Sequence, residues 1–290
     1  MLTRWFAAIL GLILALPCFA QPKHSLFYEV SGNGLKKPSY LFGTFHLYTS
    51  SFVDSQKNVL RKLKASDAVA GEIIADSLVL SPQLMEAMLS DTPLFNLMSP
   101  TAYVELDAWM EELTGNDLSM FNRLSPMAIN AMLLQFIYRK HFSPPKNEQP
   151  MDVYLQSEAR KRKKKIYGLE SVQTQINALF DKPLKRQAEQ LEEFVMEKDS
   201  AVHRLRMLQH LYRDADYDRL VRMMYDATYT EDEIKTMIHD RNAAWLGQLP
   251  AMMAAQPTFV AVGAMHLAGD TGLVEGLREQ GYTVTPLPLR

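Results

Sequence analysis

Two copies of one short string, each closing an apolar run, stand near opposite ends of this 290-residue chain. Pro38 to Leu47 reads PSYLFGTFHL and Pro257 to Leu267 reads PTFVAVGAMHL, so both runs end in Gly-x-x-His-Leu. With 13 Gly and 7 His, composition alone gives about 0.3 Gly-x-x-His matches. A residue just past the C-terminal end of a parallel strand points into the crevice where α/β proteins bind ligands. Gly43 and Gly263, three positions ahead of each ring, let the backbone turn or approach closely without a Cβ clash. The pair predicts that His46 and His266 meet in space and hold a metal ion, because a neutral imidazole is a good ligand for Zn, Mn, Fe or Co.

Strand-like sequence gathers at the two ends and helical sequence between them. Ser25 to Ser31 and Pro38 to Thr44 flank Gly32-Asn33-Gly34, a hairpin signal. Ala65 to Ile74 and Lys165 to Leu169 read as further strands, preceded by helices over Val53 to Lys64 and Met151 to Lys164. Thr258 to Gly263 is a buried-type strand. A helix over Gly269 to Gln280, capped by Gly281, leads to a last strand, Tyr282 to Pro286, a βαβ-like unit that implies a parallel region. Two helical insertions, about 81–150 and 183–249, interrupt this core. The first is broken at Pro93, Pro100, Gly115 and Pro126 and ends in the Lys140 to Pro150 loop. The fold class expected is α/β, a mixed, mostly parallel sheet with large helical insertions.

Two histidines make a poor metal site alone, so acids are sought at equivalent strand ends. Glu72 follows DAVAG and Glu170 follows KIYGL, where burial is costly unless the acid is paired or metal-bound. Two histidines and a carboxylate with open positions suit metal-assisted hydrolysis, a second carboxylate accepting the proton. Glu72 also reads as one half of an ion pair at the sheet edge. Glu170 reads nearly equally as an N-cap or first-turn acid for the helix beginning near Ser171. Arg241 and Asn242, in HDRNAAWLGQL, lie on a helix. Beside Asp240 the arginine reads best as a surface ion pair, the other role being to orient a carboxylate or stabilise an oxyanion. His24, His141, His203, His210 and His239 lack comparable context. The basic run Arg160 to Lys165 reads as a solvated helix end, and the methionines from Met85 to Met132 as adaptable packing or a peptide groove.

Residues 1–20 read as a secretory signal peptide: Arg4, the apolar Trp5 to Leu16, and cleavage after Ala20. The expectation is export to the periplasm or beyond, a lipoprotein through Cys18 being the lesser alternative. Cys18 is the one cysteine, so the mature chain would rest on its core rather than on disulfides. Without Arg4, the 31 basic residues become 30 against 33 acidic ones, a balance of −3 that does not suggest a nucleic-acid partner. No apolar run after Gln21 is long enough to span a bilayer. The usual short signatures, HExxH, GxSxG, a Walker loop and CxxC, are absent.

The chain resembles the TraB/GumN family, which also includes PrgY and the TIKI proteins. The resemblance rests on YLFGTFHL, the acid in VAGEI, Asp152 in MDVYLQSEA, IYGLES, RNAAW and FVAVGAMHLAGDTGLVEGLREQGYTV. It implies a core similar to the erythromycin-esterase/ChaN-like group. By likeness to the TIKI members it implies a metal-dependent protease using manganese or cobalt, with peptide or protein substrates. His46 and His266 would correspond to the family's two histidines, Glu72 and Glu170 to its acids, and Arg241-Asn242 to its late Arg-Asn pair. Departures are Glu72-Ile73-Ile74 where Glu-x-Asp is common, Met265 where a small Gly is usual, and Ser125-Pro126-Met127 where Lys-Pro-Trp is common. The ChaN likeness equally allows a non-catalytic periplasmic protein that binds a peptide, metal or haem.

Overall fold

A computed structural model describes residues 24–290 apart from Leu80, Lys146 and 226–228. The signal segment, Cys18 and the Ala20 cleavage point lie outside the described residues. Six strands form one sheet: β1 (Phe27–Gly32), β2 (Ser39–Thr44), β3 (Ala68–Gly71), β4 (Lys165–Gly168), β5 (Thr258–Gly263) and β6 (Tyr282–Pro286). Their order is β4-β3-β5-β2-β1-β6. The β4–β3, β3–β5 and β5–β2 pairs are parallel, whereas β1 runs antiparallel to both β2 and β6. The α/β class and the mostly parallel sheet agree with the sequence pattern.

Every residue of β2 and β3 is buried, as are all but the last of β5. These strands carry continuous apolar runs because helices and loops cover both faces of a parallel sheet. Phe42 of β2 meets Phe27 of β1 edge-on at 5.9 Å and Phe259 of β5 at 6.1 Å. Gly32, Asn33 and Gly34 all take positive φ and turn β1 into β2, as the hairpin signal requires.

Several expectations shift in detail, among them the helix over Val53 to Lys64, which is two, Ser50–Ser55 and Lys57–Ala65, and the helix over Gly269 to Gln280, which shortens to Leu273–Glu279. The strand expected over Ala65 to Ile74 shortens to Ala68–Gly71, because Ala65 closes the helix Lys57–Ala65. Beyond Gly71 the backbone turns away, held by the Gln156 amide, which donates to Ile73 O at 2.8 Å and accepts from Ala75 N at 2.9 Å. The C-terminal unit does run β5, helix Leu273–Glu279, β6, but β2 and β1 lie between the two strands. The hydrogen bonds of β6 go to antiparallel β1 instead.

The helix breakers act where they were read. Ser99 caps Pro100–Thr114, Gly115 ends it at φ 77, and Ser125 caps Pro126–Phe142, a serine-then-proline start that satisfies a free N–H and presets φ. In the second insertion a π-turn, Lys235–His239, leads into the helix Asp240–Leu246. No helix among the described residues is long and apolar enough to cross a membrane.

Candidate functional site

Four neighbouring parallel strands, β4, β3, β5 and β2, end along one edge of the sheet, and each delivers one of the singled-out residues there. Glu170 follows β4, Glu72 follows β3, His266 follows β5 and His46 follows β2. Beyond the strands, Leu169 N donates to Gly71 O and Glu170 N to Glu72 O, both at 2.9 Å, so the β3–β4 ladder continues and sets the acids side by side. Thr44 pairs with Gly263 in the β2–β5 register, which brings the two Gly-x-x-His-Leu motifs abreast. A Cβ on Gly43 would stand 3.0 Å from both Ala264 Cα and Leu267 Cδ1. The glycine is there because the turn after β5 crosses directly over it.

Glu72 is held from three sides. Its Oε1 accepts from Gly263 N at 2.8 Å; its Oε2 accepts from Gln175 Nε2 at 3.1 Å and Arg241 Nη2 at 2.6 Å. Burial opposes the charge, but the surrounding cations, His266 when protonated, Arg241 and His46, with the Gly263 N–H, bring the carboxyl down to about 2. Glu72 is therefore a carboxylate across the neutral range.

Arg241 is 7% exposed, and all five of its N–H groups are committed. Nε and Nη2 form a fork on Glu170 at 2.9 and 2.7 Å, Nη2 also reaches Glu72, and Nη1 donates to Met237 O at 3.0 Å and faces His266 Nε2 at 3.2 Å. The surface pairing with Asp240 is replaced: Asp240 binds Lys235 Nζ at 2.6 Å. Burial raises the Glu170 carboxyl against the pull of Arg241. Glu170 is not the helix cap either, since Ser171 accepts from Thr174 N and fills that place. With no N–H left over, Arg241 orients the two acids and offers nothing to an oxyanion.

The histidines differ in exposure and alike have one nitrogen tethered. Asn242 Nδ2 donates to His266 O at 3.1 Å and to Thr271 O at 2.9 Å, so Asn242 Oδ1 must accept from His266 Nδ1, 2.7 Å away. His266 Nε2 then carries the lone pair and lies 3.9 Å from Glu72 Oε1. Burial, with Arg241 and His46 against the pull of Glu72, lowers His266 to about 4, so it is neutral at pH 7. The His46 side chain is 76% exposed, with Nδ1 3.3 Å from Asp152 Oδ2. Asp152 Oδ1 accepts from Thr44 Oγ1 at 2.6 Å. The bond to Asp152 outweighs desolvation and raises His46 to about 9. Arg241 joins Glu72, Glu170 and His266 directly, whereas His46, at the end of the neighbouring strand β2, contacts Asp152.

Gln175 and Gln156 were not singled out, and Asp152 entered only through the resemblance. A glutamine in VQTQINALF has no spacing that marks it as the partner of an acid about a hundred positions away. Asp152, next after a proline and a methionine, is a first-turn acid like many others. Beneath the site, Tyr212 stacks on Phe45 at 5.3 Å and its hydroxyl donates to Gly43 O at 2.7 Å, bracing the first motif from the second insertion.

The model of the TraB/PrgY/gumN family matches residues 26–286, nearly the whole chain, and the chain belongs to that family. No curated protein and no solved structure matches it.

Proposed function

We propose that this member of the TraB/PrgY/gumN family is an exported metal-dependent hydrolase of peptide bonds, with His46, Glu72 and His266 as its reacting groups. The observation that carries the reading is that two histidines and an acid follow three adjacent parallel strands at one edge of the sheet. The export in it is supported by the signal-like first twenty residues.

The donors fit a divalent cation in kind. Asp152 and Asn242 each take Nδ1 of one ring, the outer-shell arrangement that orients metal-binding histidines, and Glu72 adds a carboxylate; His46, which its bond to Asp152 keeps protonated in the neutral range, would have to give up its Nε2 proton to bind an ion. In position, a guanidinium stands first: among the described residues no three His, Cys, Asp or Glu form a metal-binding group, and Arg241 spans Glu72 and His266. An ion held by His46, His266 and Glu72 would have to displace the Arg241 guanidinium from Glu72 and His266. The ion would supply Lewis acidity and acidify a water molecule. Asn242 holds the His266 ring in one tautomer, Asp152 orients the His46 ring, Gly263 N–H fixes Glu72, and Arg241 keeps Glu170 from repelling it.

The committed guanidinium favours a second reading, a metal-free hydrolase in which His46, backed by Asp152, transfers the proton itself. Elemental analysis and peptide hydrolysis before and after exhaustive chelation separate the two. The first reading expects bound metal, and activity lost on chelation and in His46→Ala/His266→Ala. Chelation-resistant activity lost in His46→Ala supports the second. Stoichiometric capture of intact peptide without turnover overturns both and returns the protein to the binding class.

A further inference from the structure

Behind Glu72, on the side of Gln175, lies a groove of about 440 Å³ between the helices Pro82–Ala87, Pro126–Phe142 and Val172–Phe180. The geometry points to a single-chain fatty carboxylate as its occupant, the alkyl chain along the Pro126–Phe142 helix and the carboxylate at Arg139.

The floor is one stripe of that helix. Ala128, Ala131, Met132, Gln135 and Arg139 recur every three or four positions. From Ala128 to Arg139 the stripe runs about 16 Å, the length of an extended chain of about a dozen carbons. Small Ala128 and Ala131 leave the room, and Met88 and Met132 adapt their unbranched side chains to a flexible ligand.

The lining separates an alkyl chain from a peptide. A peptide brings an N–H and a C=O at almost every residue, and each would need a partner once buried. The polar side chains here are Gln135, Gln175 and Arg139, and Gln175 Nε2 is already given to Glu72. A hydrocarbon asks nothing of that wall. Its headgroup needs a cation, and Arg139 is available: its neighbour Lys140 binds Glu112 at 2.9 Å, but Arg139 makes no hydrogen bond or ion pair among the described residues. Because Gln175 lines the groove and also holds Glu72, a chain lying there is one side chain away from the strand-end centre.

Calorimetric titration of the full chain with decanoate below its micelle-forming concentration tests this, with octanoate, 1-decanol and a blocked trileucine as comparisons. Decanoate is expected to bind one to one and about fifteen-fold more tightly than octanoate, since each of the two extra buried methylenes is worth about a four-fold gain. It should exceed decanol about five-fold, and Arg139→Gln, at an exposed position, should abolish that preference while decanol binds as before. Ala131→Phe, which fills the groove, should abolish binding of both. Absence of decanoate binding overturns the assignment, as does binding indifferent to both substitutions, or tighter binding of trileucine that Ala131→Phe removes. None of these titrations requires hydrolysis, so their outcome is independent of the metallohydrolase reading.

Discussion

Asn242 and His266 hold each other by two bonds, side chain to ring at 2.7 Å and side chain to backbone at 3.1 Å. The amide thus fixes the tautomer of the ring and the course of the chain that carries it. On the proposed metal site, Asn242→Ala should reduce divalent-metal affinity by about 10- to 100-fold, the usual cost of losing an outer-shell partner. Titration calorimetry with Mn²⁺ measures the affinity, and ¹⁵N shifts of the His266 ring report the tautomer. An unchanged Nδ1–H signal in the variant would refute the orienting role of Asn242.

Arg241 neutralises two buried acids. Arg241→Ala leaves Glu72 and Glu170 without their cation, and unfolding in urea should show a loss of about 3–5 kcal/mol. Glu170→Leu combined with Arg241→Leu should cost less than the two single changes added together, since the double variant removes the Glu170 pair as a unit. Strict additivity would mean that the ion pair has no energetic coupling.

The two motif glycines should fail differently. A methyl on Gly43 meets backbone and a packed leucine at 3.0 Å, so Gly43→Ala should lower stability by about 1–3 kcal/mol. On Gly263 the nearest atom is Glu72 Oε1 at 3.3 Å. Gly263→Ala should therefore leave the urea midpoint nearly unchanged while lowering hydrolysis, because Glu72 shifts by a few tenths of an ångström.

Glu233 gives a pH signature away from the site. Burial opposes its charge, but Arg186, the Thr230 N–H and Lys182 bring the carboxyl down from 4.5 to about 2. It also closes a capping box with Thr230 and accepts from Gln190. A depressed folded pKa adds stability that is complete above about 4.5 and is lost as the pH falls through about 2. Glu233→Gln should thus destabilise by about 2–4 kcal/mol at pH 7, and the gap to the parent should shrink as the pH is lowered from 5 to 2.5. Urea midpoints at four pH values measure it; a gap independent of pH would refute the charge argument.

The pairing of the two motifs was legible because it depends on local chemistry repeated twice: an apolar run, a glycine, a ring. β5 and β6 were legible to the residue because each is bounded by glycine or proline. The lateral order was not, since periodicity says which face is buried and nothing about which strand is the neighbour. Arg241 was misjudged for a related reason. Asp240 is adjacent in sequence, but on a helix adjacent side chains point apart. The acids that Arg241 binds are 71 and 169 positions away.

The N-terminal hairpin is inserted between the last two strands, β2 beside β5 and β1 beside β6. While the chain is being synthesised, both outer margins of that hairpin stay bare, each awaiting a segment that emerges last. A product cut short before Thr258 has no means of covering either margin and lacks one of the two rings. The sheet is therefore completed only when segments far apart along the polypeptide close on one another.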